Sequence, residues 1–167
     1  MFTKIADRID ALNNFIGRSV SWLTLFMALV MFIIVVLRYM FNMGWIWMQE
    51  SVVFMHGLVF MLAAGYTLLA EEHVRIDILY RPMSEKKKAI INIIGILFLL
   101  FPTCFVMFYY GFPYVSDSWS VLEGSKEAGG LPGVFALKSV ILVFPVLVGL
   151  QGISKIIRAL NTLATSK

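Results

Sequence analysis

The chain has 167 residues, of which 60% are hydrophobic and 14% charged, with a mean hydropathy of +0.85 and a formal charge of +4. Soluble domains carry nearly twice that charged fraction, so the composition excludes an ordinary soluble domain, and no nucleic-acid partner is expected of it. The single cysteine, Cys104, rules out an intrachain disulfide and a cysteine-based metal site, and within its apolar run it reads as a small packed hydrophobe.

Residues 2–16 place Phe2, Ile5, Ile9, Leu12 and Ile16 at alternating three- and four-residue spacing. That spacing predicts an amphipathic helix lying in the cytoplasmic interface, either anchored to lipid or docked against a partner membrane protein. The polar arm is followed by a run too long for a signal-peptide core, with no small-residue cleavage site behind it, so no cleavable signal peptide is expected.

A spanning helix needs about 20 mostly apolar residues. Residues 19–37 contain no charged residue, and Arg38 ends the run. Residues 51–70 contain none either, with His56 as their one ionisable group. Arg38 and Glu50 flank the short link between these runs at similar depth. Arg38 at a helix C-terminus and Glu50 at a helix N-terminus both suit the helix dipole. They are expected to pair and lock the hairpin, or to face a common partner subunit.

The next link carries His73 and Asp77 at i,i+4 spacing, and then Lys86, Lys87 and Lys88 behind Ser84, the expected N-cap of the third helix. The three lysines oppose the helix dipole but suit anionic headgroups, which makes them candidate lipid anchors. A metal site from Glu72, His73 and Asp77 is the weaker reading. Residues 89–116 are charge-free over 28 positions, longer than the bilayer is thick, so this helix is expected to tilt or project. Pro102 here, and Pro145 in the fourth run, 139–154, are expected to kink their helices. Between these runs, about Ser116 to Gly133, lies a glycine-rich outer loop.

The fold class expected is therefore an all-α integral membrane protein, a single domain of four transmembrane helices at about 19–41, 48–70, 88–115 and 134–157, with the amphipathic arm at 2–16. Barrel strands would alternate with period two, and these runs do not. Eleven of the 14 lysines and arginines fall on one side of such a bundle, which places both termini in the cytoplasm. Trp45, Trp47, Tyr110, Tyr114 and Trp119 gather at the opposite boundary, with Trp45 and Trp47 as further lipid anchors.

Chemistry is sparse. His56 is the only ionisable group well inside a span, and it reads as an interhelical hydrogen-bonding group. His73 lies about 25 Å further along the same helix, so the two histidines cannot ligate one haem. No nucleophile–base set, phosphate loop or midplane carboxylate is present, so neither cofactor nor catalysis is expected. Two rival readings remain at this stage: a stand-alone homo-oligomeric channel or exporter, and a membrane anchor of a haem or quinone enzyme.

Arg38-Tyr39-Met40-Phe41-Asn42, Trp47-Met48-Gln49-Glu50, Gly65 and the stretch His73–Leu79 stand in order at span boundaries. In these stretches the chain resembles the small membrane subunit, DctQ-like or Q-type, of tripartite ATP-independent periplasmic (TRAP) transporters. The resemblance implies a small permease subunit in a bacterial cell inner membrane. Its partners would be a large elevator-type membrane subunit, a periplasmic substrate-binding protein and membrane lipids. The process implied is sodium-coupled uptake of organic acids, of the C4-dicarboxylate or sialic acid class. Arg38, Glu50, His73 and Asp77 would then be candidate subunit contacts or hairpin locks, and the outer loop would meet the binding protein.

Overall fold

The computed structural model describes residues 2–71, 80 and 82–165. These residues are almost entirely helical and contain no strand. In chain order the helices are α1 (Phe2–Phe41), α2 (Ile46–Leu62), α3 (Ala64–Leu69), α4 (Glu85–Gly95), a π-helical turn (Ile96–Leu100), α5 (Phe101–Ser120) and α6 (Val134–Thr165). Four continuous helical segments are long and apolar enough to cross a membrane: α1, α2 with α3, α4 through α5, and α6.

The arm and the first apolar run form one helix of 40 residues, about 60 Å long. The sequence predicted a separate amphipathic helix lying flat. The difference has a physical cause on the polar side of the arm. Ala6, Asn13, Gly17 and Val20 are buried, while Ile5 and Leu12 are exposed. The arm thus turns its polar-and-small stripe toward the bundle and its apolar stripe outward, because partners for the polar groups exist on α6.

α6 is the hub. It buries 39% of its apolar window, against 6–11% for the other three spans. Val140, Leu147, Val148 and Gly152 are among its buried residues. A side chain at Gly152 would press on Ile96, Leu100 and Phe101, so this glycine lets the π turn seat closely against α6. Elsewhere large apolar side chains point outward, including Trp22, Phe32, Phe60, Phe98 and Phe105. Apolar surface on this scale calls for lipid or another protein.

Pro102 follows the π turn and sits near the start of α5. A proline removes one donor and crowds the preceding turn. The widened turn, in which Phe101 N–H bonds Ile96 O, makes room for the ring ahead of it. The helix continues through Pro113, which the sequence reading passed over, and α6 continues through Pro145. Span two has a one-residue irregularity at Ala63, between α2 and α3, where no proline stands. There the Thr67 hydroxyl donates to the Ala63 carbonyl at 3.0 Å, a back-bond of the kind that bends helices.

Candidate functional site

Polar side chains gather at the two ends of the bundle. At the end carrying the termini, α1 and α6 run antiparallel and present matched registers: Ala6, Asp10, Asn13 and Gly17 on one, Leu147, Gln151, Ser154 and Arg158 on the other. Both sets step by four, three and four, the spacing of one helix face. Asn13 Nδ2 donates to Gln151 Oε1 at 2.8 Å and, more weakly, to the Leu147 carbonyl. Gln151 Nε2 donates to Asp10 Oδ1 at 2.8 Å, and Ser154 Oγ donates to the same oxygen at 2.6 Å. Arg158 Nε donates to Asp10 Oδ2 at 2.9 Å, and its guanidinium also reaches Asp7 at 2.9 Å. Asn13, Gln151 and Ser154 are all but fully buried.

The seam also needs close backbone approach. A Cβ on Gly65 would overlap the Asn13 amide, and one on Gly17 would overlap the Tyr66 ring. Asn13 Oδ1, which faces Gly65, is the one buried side-chain polar atom without a hydrogen-bond partner among the described residues. Three spans therefore meet at Asn13.

At the opposite end the Glu50 carboxylate closes a loop. Ser125 Oγ donates to one oxygen, and Leu131 N–H donates to the other at 2.6 Å. Ser125 N–H in turn bonds the Leu131 carbonyl at 2.9 Å, and Glu127 N–H bonds Ser125 Oγ at 3.0 Å. Gly129 takes φ +79°, a conformation that suits glycine, and a Cβ on Gly130 would overlap Ser125 and the Glu50 carboxylate. Beside this loop Glu123 accepts from Lys138 and from Ser118 Oγ. The Lys138 ammonium, followed by the Ser118 hydroxyl, holds the Glu123 carboxyl below the ordinary carboxylate range. Lys138 also lies 4.1 Å from the Tyr114 ring centroid. Trp119 Nε1 donates to Ser139 Oγ at 2.8 Å, and its ring meets Phe135 edge-on at 4.7 Å.

The residues expected from sequence fall unevenly on this map. Glu50 is engaged, but by the loop; among the described residues no ion pair joins it to Arg38, which is exposed in the last turn of α1. In place of the expected Arg38–Glu50 pair, a backbone N–H and a hydroxyl from the loop at Ser125 and Leu131 hold the Glu50 carboxylate. His56, expected to bond between helices, is exposed on α2 and stacks on Phe60 at 6.4 Å. Its position faces away from the other helices. Ser84 stands at the N-cap of α4 without a capping side-chain bond. Lys86 and Lys87 are exposed, whereas Lys88 pairs with Glu85 at 2.9 Å. Trp45 and Trp47 are exposed at the start of α2. His73 and Asp77 lie outside the described residues.

Sequence reasoning missed the α1–α6 seam. It weighed ionisable groups inside spans, while the buried seam is built largely on an amide pair and a hydroxyl. Gln151 and Ser154 in an otherwise apolar run, three apart and followed by Arg158, were the available signal.

Among the described residues no group of three histidine, cysteine or acidic side chains is placed to hold a metal ion. The buried polar groups at the end carrying the termini bond helix to helix, and those at the opposite end shape a loop. The fold and both clusters define a multi-pass helical membrane protein whose buried polar side chains, among the described residues, bond to one another. Residues 27–162 match the family Tripartite ATP-independent periplasmic transporters, DctQ component, and the chain belongs to that family. It is a family of transporter components rather than of enzymes. No curated protein and no solved structure matches the chain.

Proposed function

We propose that the chain is the small permease subunit that widens and steadies the stationary scaffold of a large elevator-type membrane subunit. The transporter would take up organic acids of the C4-dicarboxylate or sialic acid class, coupled to sodium and delivered by a periplasmic binding protein. Both termini would be cytoplasmic, as the placement of eleven of 14 cations favours, in a bacterial inner membrane.

The observation that carries the reading is the use of the buried polar groups within a TRAP family chain. A transport site needs polar groups free to meet cargo or ion near midplane. Here Gln151 and Ser154 are committed to Asp10 and Asn13 by bonds of 2.6–2.8 Å. An elevator needs a fixed body against which another slides. Long helices tied at both ends, with large apolar side chains outward, suit that role. Arg38 and the exposed apolar stripe of α1, with His73 and Asp77, are proposed contacts for the large subunit. The latched outer loop is the proposed face toward the binding protein.

Purifying the tagged chain from its membrane in mild detergent tests this directly. Co-purification of a large multi-span permease in fixed ratio is expected. Recovery only as a homo-oligomer, with no other membrane protein, refutes the proposal.

A further inference from the structure

The second span carries a histidine inside its membrane run, and the fold turns that side chain outward. Residues 51–70 hold no charged residue, and His56 is the sixth of them, about 7 Å in from the end. It is exposed on α2 and stacked on Phe60, and among the described residues no hydrogen bond engages its ring. Histidine lacks the long stem by which lysine and arginine return their charge to the headgroups. A ring N–H turned to lipid tails would find no acceptor, and ionisable groups at such depth face protein or a water-filled cavity.

His56 belongs to a stripe. Gln49, Val53, His56, Phe60 and Ala63 follow one another by steps of four, three, four and three. That alternation keeps two helices in contact along a left-handed crossing. Gln49 is exposed like His56, and Val53 and Phe60 are 62% and 70% exposed. The occupant of this face is therefore a helix that brings a hydrogen-bonding group to the level of His56. Copies of one chain enter a membrane in one orientation, so a second copy brings like residues to like depth. The stripe suits itself in that arrangement. An uncharged imidazole and a primary amide each offer a donor and an acceptor, and no residue of the stripe is a lysine, arginine, aspartate or glutamate. The exposed stripe of α1 differs, since Lys4 and Arg8 stand on the face of Phe15 and Trp22 and would meet their own kind across a two-fold axis.

We propose that the outward stripe of α2 pairs with the same stripe of a second copy of this chain, His56 to His56 across a two-fold axis normal to the membrane. One polar pair within an apolar helix seam fixes register and partner number. Gln49, two turns nearer the start of α2, would form a second level of the same seam. The pairing leaves the apolar stripe of α1 to another subunit and does not rest on assembly with one.

The test is photo-crosslinking in the native membrane, with every partner present. A benzophenone side chain replaces Phe60, or replaces Phe105 on the third span, 68% exposed, as a control. Co-expression of the chain under two different tags identifies a second copy. The probe at position 60 is expected to capture that copy, and the probe at position 105 is not. His56→Leu removes the hydrogen bond and keeps an apolar helix. It is expected to lower the capture about fivefold, the scale of one interhelical hydrogen bond. His56→Gln keeps a donor and an acceptor and is expected to stay within about twofold of wild type. Capture of lipid alone or of a different protein at position 60 overturns the proposal, as does equal capture of a second copy at both positions. So does capture that is undiminished in His56→Leu, or diminished as much in His56→Gln. Co-recovery of a large permease is scored on the same membranes, so the pairing and the scaffold role succeed or fail separately.

Discussion

The two ends of the bundle are both fastened by a carboxylate, and they differ in what the carboxylate fastens. At the end carrying the termini Asp10 takes donors from Gln151, Ser154 and Arg158, residues about 140 positions away on another helix, and is itself largely enclosed. At the opposite end Glu50 takes its donors from Ser125 and Leu131, both in one loop, and lies nearer to solvent than Asp10. A buried acceptor with several donors becomes expensive to remove, because each donor is left without water to replace it. A carboxylate near water is replaceable at little cost to the bundle, so its effect is confined to the loop it shapes. The Asp10 contact therefore sets how the spans pack. The Glu50 contact sets the form of the loop at the opposite end.

Replacing Asp10 by Ala is expected to have the largest effect. It leaves three donors facing an empty acceptor site, two of them buried, and is expected to lower stability by about 2 kcal/mol or more. Thermal unfolding in detergent measures this, and a neutral result would break the contrast between the ends. Gly65→Val comes next, since its side chain must displace the Asn13 amide. A cost of roughly 1–3 kcal/mol is expected for such overpacking, read in the same unfolding assay.

Glu50→Gln should leave the unfolding temperature near wild type and speed proteolysis between Gly124 and Gly133 several-fold. A large stability loss there would mean that the outer latch also holds the spans. The smallest effect expected is one of pH. The Glu123 carboxyl is held below its usual value by Lys138 and Ser118. Its folded form is therefore stabilised above the unfolded carboxylate pKa of about 4.3, and that contribution is lost as pH falls through the lowered folded value. Trp119 fluorescence should change only under acid below that range, and Glu123→Gln should abolish the transition.

Much of this architecture can be read from the sequence for a simple reason: hydrocarbon offers no backbone partners, so long charge-free runs must be helices. Hydropathy locates the four runs but says little about which side of each faces inward. The arm illustrates the gap. Its apolar spacing was plain, yet the inward side is the stripe of Ala6, Asp10, Asn13 and Gly17, chosen by partners on α6 that no local pattern displays. Glu50 was expected to pair with Arg38 or to face a partner subunit, whereas the donors it meets lie 75 and 81 positions away in a loop without periodicity. The irregularity at Ala63 was hidden because it rests on a threonine back-bond rather than on a proline.

The central claim is that this chain transports nothing alone and acts by supporting a partner. Reconstitution into proteoliposomes tests it most directly, with an imposed sodium gradient and labelled organic acids. The chain alone should accumulate no solute, and uptake should appear only when the large subunit and the binding protein are added. Sodium-driven accumulation by vesicles holding this polypeptide alone would contradict the account.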